Sequence, residues 1–469
     1  MRHPRVRLVW LVMVTAAAGC TDTVFERIPD FEDPPNAAMG FLGYTDSEAD
    51  QPVCGNCHVG KYAEWRGTAH ADAWDDLQAS GAAAESCEGC HTVGENGNPV
   101  EVTDVAWTAT GDPRYHDVQC ESCHGPGLDH VTNPDATQPL ARLDVGDTLQ
   151  FGCGECHRGD AEAHHPFIED WTLSAHGKRG TSMQTRESCV ACHEGRAALE
   201  VWGVDAEYVE KDEAEPLPVT CGVCHDPHDA TNPGQLRFPV GVADVDRNLC
   251  MRCHQKRAVP DPGGSSRGPH SPQGPLLLGE DVGWTPPNFA YDDTRIVSTH
   301  GTERNPRLCA TCHVTAIDFT DANGVTISAS GHLFKAIPCL DEDGLPTASE
   351  ACTLGERSFA SCTPSGCHGD QNAARSAYIS STDEIAGLVA DLDALLDQVP
   401  ADQFANDTIF TIAEGAEFNA GLGDITSSAI HNPFLTEALL RASIQAVMDE
   451  YGVAGRAAVA GSGGKEADR

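Results

Sequence analysis

Large side chains are scarce in this chain. Only 6% of its 469 residues are aromatic, and there are 6 methionines. A core built in the usual way from such material would be thin, so disulfides or cofactors must fill what is missing. Basic residues are scarce as well: 30 Lys and Arg face 71 Asp and Glu, for a formal net charge of −41. That excludes nucleic acid as a partner, because no basic surface is available to neutralise phosphates. It leaves a solvated acidic surface, or one that attracts cationic partners or metal ions. Strand signals are weak throughout, which predicts helix and irregular coil with little sheet. What the chain does have is 46 glycines, 29 prolines, 21 cysteines and 21 histidines.

The cysteines are ordered. Eight C-x-x-C-H units follow one another: Cys54, Cys57 and His58; Cys87, Cys90 and His91; Cys120, Cys123 and His124; Cys153, Cys156 and His157; Cys189, Cys192 and His193; Cys221, Cys224 and His225; Cys250, Cys253 and His254; Cys309, Cys312 and His313. Paired C-x-x-C can bind zinc, but a zinc site does not require histidine after the second cysteine, and all eight units have it. The spacing suits covalent haem c. Two cysteines three apart set both sulfurs along one porphyrin edge, and the next histidine lies under the ring as an iron ligand.

A ninth unit is irregular. In SCTPSGCHGD, residues 361–370, four residues separate Cys362 from Cys367, and His368 follows. Thr-Pro-Ser-Gly is a turn composition able to loop out without driving the sulfurs apart. Reading this unit as a ninth haem site leaves Cys20, Cys339 and Cys352, the last two as a disulfide pair. The alternative is two disulfides among the four late cysteines. Histidines give an independent check. Beyond His3 and nine motif histidines, eleven remain: His70, His116, His130, His164, His165, His176, His228, His270, His300, His332 and His431. Nine bis-histidine irons would need nine of them.

The N-terminus MRHPRVRLVWLVMVTAAAGC has a basic start and an apolar run, Leu8 to Ala18, of 11 residues, too short to span a bilayer. Its end, AAGC, resembles the lipobox of bacterial lipoproteins, which implies a signal over 1–19 and a lipid on Cys20; the alternative is a plain secretory signal. Loss of Arg2, Arg5 and Arg7 would take the mature charge to −44. VQCESCHGPGLDH, 118–130, resembles the multihaem cytochrome superfamily that includes the tetrahaem cytochrome of nitrification and hydroxylamine oxidoreductase, which implies His130 as a distal ligand. CGVCHDPH and NLCMRCH, within 221–254, resemble the doubled CxxCH haem module and imply His228. PHSPQG and IHNPF are similar to distal-ligand segments of multihaem cytochromes and offer His270 and His431; His300 and His332 are weaker matches. EWRGTAH (64–70) and DWTLSAH (170–176) are alike and read as a reused ligand segment giving His70 and His176. The ninth is His164 or His165, with His116 the leading spare. No C-x-x-C-K unit occurs.

The expected fold is mainly α, packed around nine haems, with a C-terminal helical hairpin. The expected organisation is a signal (1–19), an acidic tether (20–50), a five-haem module (51–200), a three-haem module (201–335), the ninth haem with the hairpin (336–455) and a tail (456–469). His58, His91, His124 and His157 lie 33 residues apart, but the sequence between them shows little self-similarity, so the even spacing reads as dense haem loading and not as a solenoid. Apolar periodicity predicts one helix through Ile385–Leu396, with Ser381 and Glu384 as a capping box, and another that starts at Asn432–Pro433 and stops at Gly452. The function expected is electron transfer by an exported cytochrome, lipid-anchored in the cell envelope at the outer membrane, to a redox protein or an extracellular or periplasmic acceptor. Two alternatives stand: an oxidoreductase with one open haem acting on a small nitrogen or sulfur compound, for which the irregular Cys362–Cys367 site is the one to suspect, and a subunit of a haem filament.

Overall fold

The computed structural model describes residues 40–43, 53–93, 107, 110–137, 153–158, 166–204, 215–261, 268–290, 300–301, 304–320, 326–364, 367–405 and 409–454. The expected signal, Cys20, most of the tether, His164, His165 and the tail lie outside them. Up to His368 the chain is mostly coil with short helices, among them α1 (Val59–Trp65), α2 (Ala73–Ser80), α3 (Phe167–Leu173) and α4 (Gly195–Val201). Two small antiparallel ribbons supply the sheet: β1 (Ile317–Thr320) with β2 (Thr326–Ala329), and β3 (Cys339–Leu340) with β4 (Pro346–Thr347). Cys339 and Cys352 form a disulfide across a Cα separation of 6.0 Å.

After His368 the texture changes. Three helices follow: α5 (Gln371–Leu396), α6 (Ile412–Asp424) and α7 (Pro433–Tyr451). The expected hairpin is therefore a three-helix bundle. Ile385, Leu388, Val389, Leu392, Leu395 and Leu396 of α5 are buried, as their period demands. They pack on Ala413, Ala416 and Ala420 of α6 and on Leu440 and Val447 of α7. The start of α5 differs from the expectation. Asp370 caps it by accepting from the Ala373 amide at 2.8 Å, and Ser381 lies inside, its hydroxyl donating to the Ala429 carbonyl. Asn432, Pro433 and Gly452 bound α7 as the sequence indicates. Helix α6 escapes the periodic pattern because its inward face is small. A Cβ on Gly415 would meet the Trp284 ring at 2.2 Å, so glycine there lets helix and indole touch. Buried Asn419 completes the joint, accepting from the Trp284 amide at 2.7 Å and donating to its carbonyl at 2.8 Å.

Two expected boundaries do not match the packing. Within the 20–50 tether, Phe41 and Leu42 are fully buried. Glu121 holds this segment by accepting from the Leu42 and Gly43 amides, at 2.9 and 2.6 Å. A Cβ on Gly43 would strike the Arg114 carbonyl, which excludes a larger residue. The line at 200/201 runs through a packed cluster of Ala198, Leu199, Leu217 and Val223, where Glu194 accepts from the Leu217 amide at 2.9 Å. Among the described residues no helix is long and apolar enough to cross a membrane.

Candidate haem sites

Each C-x-x-C-H unit folds as a single tight turn. The histidine amide donates to the carbonyl of the first cysteine, at 3.0 Å for His58, 2.9 Å for His157, 3.2 Å for His193, 2.8 Å for His225 and 3.1 Å for His254. The irregular unit keeps the same closing bond. His368 donates to Cys362 at 3.2 Å, although two more residues intervene, and Cys367 donates to Pro364 at 3.0 Å inside the extra loop. The closing bond to the histidine survives the insertion.

Among the described residues, eight of the nine motif histidines are paired. His58 faces His130, His157 faces His70, His124 faces His228, His254 faces His176, His193 faces His270, His225 faces His332, His368 faces His300 and His313 faces His431. The eight ring-centroid separations run from 6.1 to 6.4 Å. Two collinear metal–nitrogen bonds of about 2 Å, plus about 1 Å from each nitrogen to its ring centre, give about 6 Å. The separation is nearly constant across the eight pairs although the interplanar angles run from 23° to 80°. The spacing is that of two imidazoles on opposite sides of one metal ion.

Backbone carbonyls orient the rings. Nδ1 of His225 lies 2.7 Å from Gly234 O, His313 2.9 Å from Phe334 O, His91 3.2 Å from Ala73 O, His130 2.7 Å from Thr137 O and His300 2.8 Å from Ile430 O. An Nδ1–H that donates to a carbonyl leaves the Nε2 lone pair for a metal. Burial pushes the His431 imidazole down to about 3 and that of His176 to about 4, with neighbouring histidines adding to the effect. Burial thus favours the neutral ring, the state that ligates. His116 is built otherwise: Nδ1 lies 2.9 Å from an Asp117 carboxylate oxygen, Nε2 3.5 Å from one of Asp75, and Trp107 covers the ring. It is the spare.

Two family models match the chain: cytochrome c554 and c-prime over residues 53–125, and the doubled CXXCH motif over 215–259. An undecahaem cytochrome from the S-layer of Carboxydothermus ferrireducens is similar in fold, with a TM-score of 0.50 and 19% identity over 91% of this chain and 71% of that one. No curated protein matches. The chain is a multihaem c-type cytochrome. Its cofactor is covalently bound haem c.

The cytochrome's interior fits that group beyond the motifs. Thr68 Oγ1, Thr220 Oγ1, Trp74 Nε1, Arg252 Nε and Arg375 Nε are buried with no hydrogen-bond partner among the described residues. Buried donors are ordinarily satisfied, and haem propionates are acceptors of the right charge for them. Two phenylalanines stand between histidines of different sites. Phe167 lies 5.7 Å from His157 and 4.8 Å from His332, while Phe334 lies 4.6 Å from His176 and 5.5 Å from His332. Composition hides them, but both follow closely on a candidate distal histidine, in HHPF and GHLF. The irregular site, the one to suspect under the oxidoreductase alternative, has a paired histidine. Among the described residues the motif histidine that faces no second imidazole at this spacing is His91.

Proposed function

We propose that the cytochrome carries nine haem c groups, each tethered by one cysteine pair and held between two histidines, and relays electrons to a partner outside the cytoplasmic membrane. The observation that carries this reading is the set of eight histidine pairs at one metal-bridging separation. When bound, each haem supplies a reversible one-electron iron couple. The two cysteines of each motif would tether that group, and the paired histidines would hold its iron. An iron so held offers no position to a substrate. Bis-histidine ligation also lacks the Met ligand that raises haem potentials, and the acidic surface favours ferric iron, so the potentials should be mostly negative. The sequence leaves His164 or His165 to serve the iron on His91.

The test is electron paramagnetic resonance of the oxidised protein, alone and with carbon monoxide, nitrite or hydroxylamine. A relay predicts low-spin haem throughout, no rapid ligand binding, and no change in His116→Ala. A second reading rests on His91: a stoichiometric high-spin haem that binds one of these molecules, and that disappears with Cys87→Ala/Cys90→Ala, would make the protein an oxidoreductase.

The AAGC end of the apolar N-terminal run supports a lipid on Cys20 and attachment to the outer membrane. A redox protein or an extracellular or periplasmic acceptor would then take the electrons. The S-layer origin of the similar undecahaem protein is in keeping with an envelope setting. Cys20→Ser should release the cytochrome from the membrane fraction; unchanged membrane association would overturn the anchor.

A further inference from the structure

Two stretches of the chain build the same substructure. In residues 54–124, Trp65 Nε1 donates to Val118 O at 3.2 Å, and the Val118 amide donates to His70 O at 3.1 Å. In residues 153–225, Trp171 Nε1 donates to Val219 O at 2.8 Å, and the Val219 amide donates to His176 O at 3.2 Å. In both, the valine stands two residues before the first cysteine of the third motif. In both, the first cysteines of the first and third motifs are in hydrogen-bond contact, Cys54 with Cys120 and Cys153 with Cys221. Corresponding residues are 99 to 106 apart, so the repeat is three motifs long and not one. The Trp…His segment marks it; the 33-residue spacing does not.

Each unit lends a histidine to the stretch that follows it. His70 of the first faces His157, which opens the second, and His176 of the second faces His254, which opens the next stretch. Lending also runs backwards. His228, just past the second unit's last motif, faces His124 of the first, and His332, past the Cys309–His313 motif, faces His225 of the second. The ends depart from this pattern. His58 has no unit before it and takes His130 from its own, and His313 takes His431 from beside α7. Tandem arrays behave this way, with each repeat contacting its neighbours and the terminal repeats atypical.

We infer that this cytochrome is a tandem array of three-site units locked together by exchanged axial histidines, which sets a spatial order of sites different from the order in sequence. Numbering the sites along the chain, cysteine contacts join 1 to 3 and 4 to 6 within units. Between stretches, Cys192 touches Cys253 and Cys250 touches Cys309, joining 5 to 7 and 7 to 8. Phe334 packs on both His332 and His176, joining 6 to 7, and the Cys309–His313 turn packs on the turn that carries Cys362, joining 8 to 9. The Val118 bond to His70 O ties the site-4 ligand to the third motif, and His91 Nδ1 lies 3.2 Å from Ala73 O in the segment that carries His70, joining 4 to 3 and to 2. The file runs 1–3–4–6–7–8–9, with 2 and 5 as spurs.

This order rests on the haem reading, and the experiment separates the two. Intact mass of the parent and of Cys153→Ala/Cys156→Ala should differ by one haem; if it does not, the haem reading fails at that site. His70→Ala should then convert one low-spin haem to a high-spin, carbon monoxide-binding one. That signal should vanish when Cys153→Ala/Cys156→Ala is added and persist when Cys54→Ala/Cys57→Ala is added. Should the alanine variant not accumulate, His70→Met keeps the iron six-coordinate, and the raised potential of one haem takes the place of the high-spin signal in the same combinations. Loss of either signal with site 1, and its survival without site 4, would overturn the exchange.

Discussion

Among the described residues before Gln371 the longest α-helix has 8 residues, whereas α5, α6 and α7 have 26, 13 and 19. Isolated helices shorter than about 12 residues are marginal in water, so the early helices cannot stand on their own hydrogen bonds. They are motif turns and ligand carriers, and what they enclose is the haem. The late helices enclose leucine, valine and alanine. One chain thus holds a region whose core is covalently attached cofactor and a region whose core is side chains. Where the first kind of core is used, sequence can give up large apolar residues and regular elements without giving up a fold.

That contrast can be broken most severely by withholding haem attachment during biosynthesis. Residues 53–368 should then lose nearly all amide exchange protection, while 371–451 should retain helical protection. Uniform loss, or uniform retention, would erase the distinction. A smaller effect should follow from disturbing the second region alone. Gly415→Leu forces a side chain into the Trp284 ring and should cost about 1–3 kcal/mol of bundle stability by overpacking. Thermal unfolding followed by helical circular dichroism should show the loss, with haem content unchanged. A fall in haem number would mean that the bundle is needed to build the sites.

The motifs and the late helices are legible in the sequence for different reasons. C-x-x-C-H is a local chemical constraint, so its positions can be read directly. Six apolar residues on one face of α5 are a periodic constraint, and all six are buried. Helix α6 is hidden because most of its buried face is glycine and alanine, with Phe418 and Leu422 as its only large buried apolar residues. The eight distal candidates within the described residues are nameable from local resemblance, but their partners are not. The distance in sequence from His70 to His157 or from His124 to His228 is set by how one unit packs on the next, which no local pattern encodes. Phe41 and Leu42 teach the same lesson on a smaller scale: an acidic, Pro-rich stretch reads as a tether until Glu121, far along the chain, supplies its anchor.

The count of sites is the claim on which the rest stands, and Cys362, Cys367 and His368 are where it is most exposed. The retained His368-to-Cys362 bond and the pairing of His368 with His300 at 6.4 Å give the long unit the same arrangement as the seven regular units whose histidine is paired. Intact mass of the mature, denatured protein measures this directly. The account predicts nine covalent haems, and eight after Cys362→Ala/Cys367→Ala; eight in the parent, with no change in the variant, would contradict it.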